Sequence, residues 1–146
     1  MARLAKPEDA AYIKKLLDDQ GQFRAPEAVA ASIVSPNEIW VVDPPLGLFW
    51  AYLDSEDKTL VHAGITFSGS VAQTKALYKA ALLQAKVVWP QAITLRALID
   101  PLSCSANAYQ GATQIARMVD VYQAERWHTF EIKWPDLLAA VGVRAG

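Results

Sequence analysis

Two histidines occur in the chain, and one of them, His62, lies in the apolar run Leu60-Val61-His62-Ala63. A strand carrying an imidazole to the edge of a cleft offers a general base for an amine, so His62 is a candidate base; the plainer reading is a half-buried cross-strand histidine. Cys104, the sole cysteine, precedes a helix start, where a thiol pKa can fall. No histidine adjoins it in sequence, so an ordinary loop thiol is the simpler account. Asp100 at the end of an apolar run reads as a turn residue. His128 sits beside Trp127 and Thr129 in a hairpin, away from any Cys or Glu-x-x-His pairing. No metal is expected.

Anion binding is the other chemistry on offer. Ser68-Gly69-Ser70-Val71 followed by Gln73 and Lys75 stands where a strand gives way to a helix. Amides at a helix N-terminus carry partial positive charge, and small residues let the backbone approach a phosphate. Ser70 and Gln73 also have the spacing of a capping box, so cap and turn compete with anion loop as the meaning of this segment.

These groups need a scaffold. Arg3-Leu4-Ala5 is a short strand candidate, and Pro7-Glu8-Asp9 is a helix start, with Ile13, Leu16 and Leu17 on the inner face. Pro26-Glu27 opens a second helix that buries Val29, Ala30, Ile33 and Val34. Three strands follow around Ile39–Val42, Leu46–Leu53 and Leu60–Phe67; Pro44-Pro45 and Asp54–Lys58 are short enough to make an antiparallel meander of them. A long helix runs from Ser70 to Pro90, then a strand over Ala92–Ile99, which implies a parallel crossover. A fourth helix begins near Ser105 or Asn107 and runs to about Arg117. Met118–Tyr122 and Trp127–Trp134 form a last hairpin, and Pro135–Gly142 reads as one or two helical turns.

The 146 residues are 53% hydrophobic and 20% charged, enough apolar content for one buried core, and one domain over 1–146 with a short tail at 135–146 is expected. Fourteen basic against fifteen acidic residues leave a net charge of -1, which supplies no global field for nucleic acid or an anionic membrane. One cysteine excludes a disulfide scaffold. No signal-peptide pattern or membrane span is visible, so a cytoplasmic location is expected.

The element order, together with Arg3-x-Ala5-x-x-x-Asp9-x-x-x-Ile13-x-x-Leu16, resembles the GNAT superfamily of N-acetyltransferases. The resemblance implies an α+β fold in α/β/α layers, with a mixed central sheet of about six or seven strands and about four helices. It also implies acetyl-CoA at a Gln/Arg-x-x-Gly-x-Gly/Ala loop, for which Gln73-Thr74-Lys75-Ala76-Leu77-Tyr78 is the available register. Ala76 and Tyr78 then stand at the two small positions, and Tyr78 is expected to crowd a pyrophosphate. The family's Asn has a counterpart in Asn107, but its tyrosine position falls near Gln114, with Tyr109 the nearest phenol. Its glycine-aromatic pair is replaced by Ala116-Arg117.

These departures lead to a non-catalytic reading. A structural or assembly component, similar to small GNAT-like proteins of tailed phages, would work through protein partners or self-association and need no cofactor. Its interface would be Trp127, Trp134, Leu137 and Leu138, for which core packing is the alternative. The other function is a divergent acetyl-CoA-dependent N-acyltransferase. There Ser68, Gly69, Ser70, Val71, Gln73 and Lys75 would hold the cofactor, His62 would be the base, and Tyr109 or Tyr122 the acid.

Overall fold

The computed structural model describes residues 1–19, 22–99, 117–122, 127–140 and 142. Strand β1 (Arg3–Leu4) leads through a short 3-10 turn at Pro7–Asp9 into α1 (Ala10–Asp19) and α2 (Pro26–Ile33). Proline opens both helical segments, where its missing amide costs nothing. Asp9 is 8% exposed and accepts two hydrogen bonds from Arg3 and one from the Lys6 amide. Those donors, the Arg3 guanidinium first, hold its carboxyl below the ordinary range and fix the entry of α1 against β1.

Strands β2 (Glu38–Asp43), β3 (Gly47–Leu53) and β4 (Leu60–Phe67) form the expected meander. The turn at Pro44-Pro45 sets Trp40 opposite Trp50, and the next hairpin sets Tyr52 opposite His62. Gly47, at φ 145°, is a position only glycine can hold: a Cβ there would come within 2.0 Å of the Thr66 carbonyl oxygen. Helix α3 (Val71–Val88) then crosses to β5 (Thr94–Ile99), which lies parallel to β4 from Leu60 opposite Thr94 to Gly64 opposite Leu98. β6 (Arg117–Tyr122) and β7 (Trp127–Lys133) are an antiparallel pair, and α4 (Trp134–Ala140) follows directly. Among the described residues the sheet has seven strands, in the order β1-β2-β3-β4-β5-β7-β6. β7 is thus inserted between β5 and its hairpin partner, antiparallel to both.

Alternation along the strands divides the core between two faces. Ile39, Val41, Phe49, Ala51, Val61, Ala63, Ile65 and Phe67 pack with α3. Trp40, Val42 and Leu48 turn the other way, onto Ile13 and Leu17 of α1 and Val29 of α2.

Three boundaries and one buried face differ from the sequence expectation. Arg117 opens β6 instead of closing a helix, β5 starts at Thr94, and Trp134 belongs to α4. In α2 the inward side is Val29 and Ile33; Ala30 is exposed and Val34, at the helix end, is 67% exposed. The fourth helix expected between Ser105 and Arg117, with Asp100, Cys104, Asn107, Tyr109, Gln114 and Ala116, falls outside the described residues. Among the described residues, no helix is long and apolar enough to cross a membrane.

Candidate active site

β4 delivers the chain through Ser68 and Gly69 to the first turn of α3. The capping box expected of Ser70 and Gln73 is present. Ser70 Oγ accepts from the Gln73 amide at 3.1 Å, and Gln73 Oε1 accepts from the Ser70 amide at 2.8 Å. Gly69 is buried, and a Cβ on it would lie 2.4 Å from the Phe67 ring and 2.9 Å from Gln73 Oε1. Ser68 is tied back to the turn before β3, its amide and hydroxyl both donating to the Leu46 carbonyl. The amides of Val71 and Ala72 have no intrahelical acceptor at this position, and no hydrogen bond among the described residues engages them. Lys75 is half-buried one turn further on.

Tyr78 does not reach this mouth. It is fully buried, its ring 4.6 Å from that of Phe49, on the side of α3 that carries Thr74, Leu77, Ala81, Leu82 and Ala85 into the sheet. The expected crowding of a pyrophosphate by Tyr78 is therefore corrected. Helical periodicity points its side chain at the core, while Ala76 is exposed.

A phosphate-bearing cofactor fits this mouth in part. The two engaging amides, the helix dipole and the Lys75 ammonium suit an anion, but the Ser70 amide becomes available only when the Gln73 side chain swings away.

His62 lies five residues before Phe67, about 17 Å along the strand, on the face away from α3. It is half-buried, stacked on Tyr52 at 5.1 Å, with Nε2 2.8 Å from Asp54 Oδ1. Asp54 also accepts from the amides of Glu56 and Asp57. The Asp57 amide, then His62, then the Glu56 amide bring its pKa down to about 2. An ionised carboxylate only accepts, so Nε2 carries the proton, and the lone pair of neutral His62 is on Nδ1.

The sequence reading missed what surrounds this pair. Trp40, Trp50, Tyr52 and His62 form a continuous stack across β2, β3 and β4, with centroids 5.4, 5.3 and 5.1 Å apart and interplanar angles of 16°, 28° and 25°. Gly64, opposite Trp50, makes room for the indole: a Cβ there would meet the ring at 3.1 Å. Arg24 lies over Trp50 at 5.2 Å and Trp40 at 5.8 Å, its carbonyl held by Lys14 of α1. Glu38 accepts from Trp50 Nε1 at 3.3 Å. Arg24, Asn37, Glu38, Trp50, Tyr52 and Leu53 line an open cleft of about 370 Å³. The available signal was register: a turn centred on Pro45 puts Trp40 opposite Trp50.

The expected interface is corrected in three of its four members. Trp134 is 7%, Leu137 0% and Leu138 3% exposed, all within the α3-side core. Their helical spacing of three and four residues brings them to one buried face of α4, so these three side chains are packed inside and not presented to a partner. The side chains of Trp127, Tyr122 and His128 lie outside the described residues, as does all of Tyr109.

The layout of a meander, a β4-α3-β5 crossover and an inserted β7 is the GNAT acetyltransferase fold. A GNAT-family acetyltransferase from Streptococcus pneumoniae superposes with a TM-score of 0.61 at 13% identity, covering 91% of this chain and 98% of the other. The spermidine/spermine N-acetyltransferase of Vibrio cholerae gives 0.65 at 11% identity, over 95% and 96% of the two chains. An aminoglycoside acetyltransferase solved with coenzyme A and kanamycin gives 0.59 at 10% identity, over 95% and 97%. No protein-family model matches the chain, and no curated protein matches it by sequence.

Proposed function

We propose that the chain is an acyl-CoA-dependent N-acyltransferase, with acetyl-CoA as donor and an amine as acceptor. One observation carries the reading. β4 feeds directly into an α3 N-terminus whose Val71 and Ala72 amides are open to an anion, and the same strand carries the Asp54-held His62 on its other face, about 17 Å before the strand's end at Phe67. That spacing suits a long cofactor with phosphates at one end and an acyl group at the other. Similarity to acetyltransferases, one of them solved with coenzyme A, supports this over the structural role suggested by the missing glycines. So does the burial of Trp134, Leu137 and Leu138.

The bound donor would supply an acyl group activated as a thioester. The Val71 and Ala72 amides and Lys75 would hold phosphate, joined by the Ser70 amide once Gln73 moves aside. His62 would take the proton of the acceptor amine on Nδ1, oriented by Asp54 through Nε2. Tyr109 or Tyr122 would return a proton to the leaving thiolate. Release of free thiol from acetyl-CoA, followed across a panel of primary amines, tests the reading. Amine-dependent release supports it, and Lys75→Ala should raise the KM for acetyl-CoA several-fold. Release that no amine accelerates would refute it.

A further inference from the structure

We infer that Arg24 selects the acceptor: its guanidinium holds a carboxylate, so the amine acylated beside His62 belongs to a small amino acid. The inference rests on the N-acyltransferase reading and names the substrate class of that site, but the binding it requires needs no acyl donor.

The guanidinium is held in place with most of its donors unengaged. It lies 5.2 Å over Trp50 and 5.8 Å over Trp40, and the Arg24 carbonyl accepts from Lys14 Nζ at 2.9 Å. Stacking on indole orients the guanidinium plane and leaves its N–H edges for a planar, anionic partner. Only Nη1 finds partners within the chain, Ser32 Oγ at 3.5 Å and Glu38 Oε1 at 4.0 Å. Both are longer than the roughly 2.7–2.9 Å of a charge-assisted hydrogen bond. Nε and Nη2 make no hydrogen bond among the described residues, and the side chain is 30% exposed.

The rest of the cleft favours an acceptor-rich ligand. The side-chain amide of Asn37 and the hydroxyl of Tyr52 are in its wall and make no hydrogen bond among the described residues, so both can donate. Glu38 is the one carboxylate among the lining residues; its Oε1 already accepts from Trp50 Nε1 at 3.3 Å and stands on the Nη1 side of Arg24. A ligand carboxylate therefore takes the Nε–Nη2 edge, through two parallel N–H···O bonds.

Geometry limits the size of that ligand. Arg24 lies over the Trp40–Trp50 pair of β2 and β3, whereas His62 is on β4, opposite Tyr52 two residues beyond Trp50. One to two strand spacings and two residues of rise separate them, roughly 10 Å. A hydrogen bond of about 3 Å at each end leaves room for an amine and a carboxylate a few bonds apart in one molecule. A cleft of about 370 Å³ is at the small end of ligand sites, which favours a free amino acid over a polypeptide.

The probes are γ-aminobutyrate and γ-aminobutyramide, which share the ammonium and differ in the carboxylate, titrated at constant ionic strength without acyl donor. The readout is the indole N–H resonance of Trp50 in a two-dimensional NMR spectrum, assigned with Trp50→Phe. γ-Aminobutyrate should shift it saturably, with an affinity about five- to tenfold above that of the amide, as expected for one partly exposed charge-assisted pair. Arg24→Gln should bring the two to equal affinity. Arg24→Lys, which keeps the charge and loses the fork, should restore part of the difference. An unchanged far-UV circular dichroism spectrum confirms that both variants fold. Equal affinities in the parent, no binding of either probe, or a preference that survives in Arg24→Gln would overturn the inference. Thiol release from acetyl-CoA separates its failure from that of acyl transfer. The parent should show the lower KM for γ-aminobutyrate, and Arg24→Gln should raise that KM to the amide's. Release with equal KM for both amines would overturn the role of Arg24 and keep acyl transfer; release that neither accelerates would refute acyl transfer, while the donor-free titration still decides whether Arg24 holds a carboxylate.

Discussion

Gly69→Ala tests whether the turn into α3 is built as described. The new methyl would stand 2.4 Å from the Phe67 ring and 2.9 Å from Gln73 Oε1, well inside van der Waals contact. Phe67 is 1% exposed, so its ring has nowhere to go, and forcing a methyl into packed surroundings costs about 1–3 kcal/mol. Gln73 can move, but only by abandoning the Ser70 amide, which forfeits roughly another 1 kcal/mol of capping. The sum is about 2–4 kcal/mol. At roughly 4 °C per kcal/mol for a domain of this size, Tm should fall by about 8–16 °C. Thermal unfolding followed by circular dichroism reads the change directly. In a Gln73→Ala background the second contact is already gone, so the same substitution should cost about 1 kcal/mol less. A Gly69→Ala protein melting within about 2 °C of the parent would refute the packing of this turn, and the site built on it.

Leu137→Ala should destabilise the protein by about 2–5 kcal/mol in urea unfolding, because Leu137 is fully buried; a neutral result would return α4 to the surface. The depressed pKa of Asp54 makes its contribution to stability complete above its ordinary value near 3.8 and lost as pH falls towards 2. Urea midpoints between pH 5 and 2 should therefore fall less steeply in Asp54→Asn than in the parent, and parallel curves would contradict the Asp54 contacts. His62→Gln should abolish amine-dependent acyl transfer while leaving coenzyme A affinity within about twofold, since His62 is about 17 Å along β4 from the α3 turn; a loss of affinity instead would place His62 at the wrong end of the site.

Local signals made most of the fold legible. Proline at two helix starts, the Ser70–Gln73 box and two-residue alternation in β2 to β4 each act within a few residues, and each produced the expected element. The insertion of β7 between β5 and β6 was not legible, because it is decided by pairing between strands distant in sequence. The same limit hid the site. Trp40, Trp50, Tyr52 and His62 come from three strands and meet only through register, and Arg24 joins them from the segment before α2. Trp134, Leu137 and Leu138 were legible as an apolar helical face, but whether such a face meets a core or a partner depends on where the chain returns. Tyr78 was misjudged because a motif register says which residue stands at a position, while the helix decides where it points.

Isothermal titration of the full chain with acetyl-CoA is the most direct test of the central claim. The account predicts saturable one-to-one binding in the micromolar range, weakened in Lys75→Ala. No heat of binding at millimolar acetyl-CoA would contradict it, leaving a GNAT fold whose helix cap is closed to phosphate.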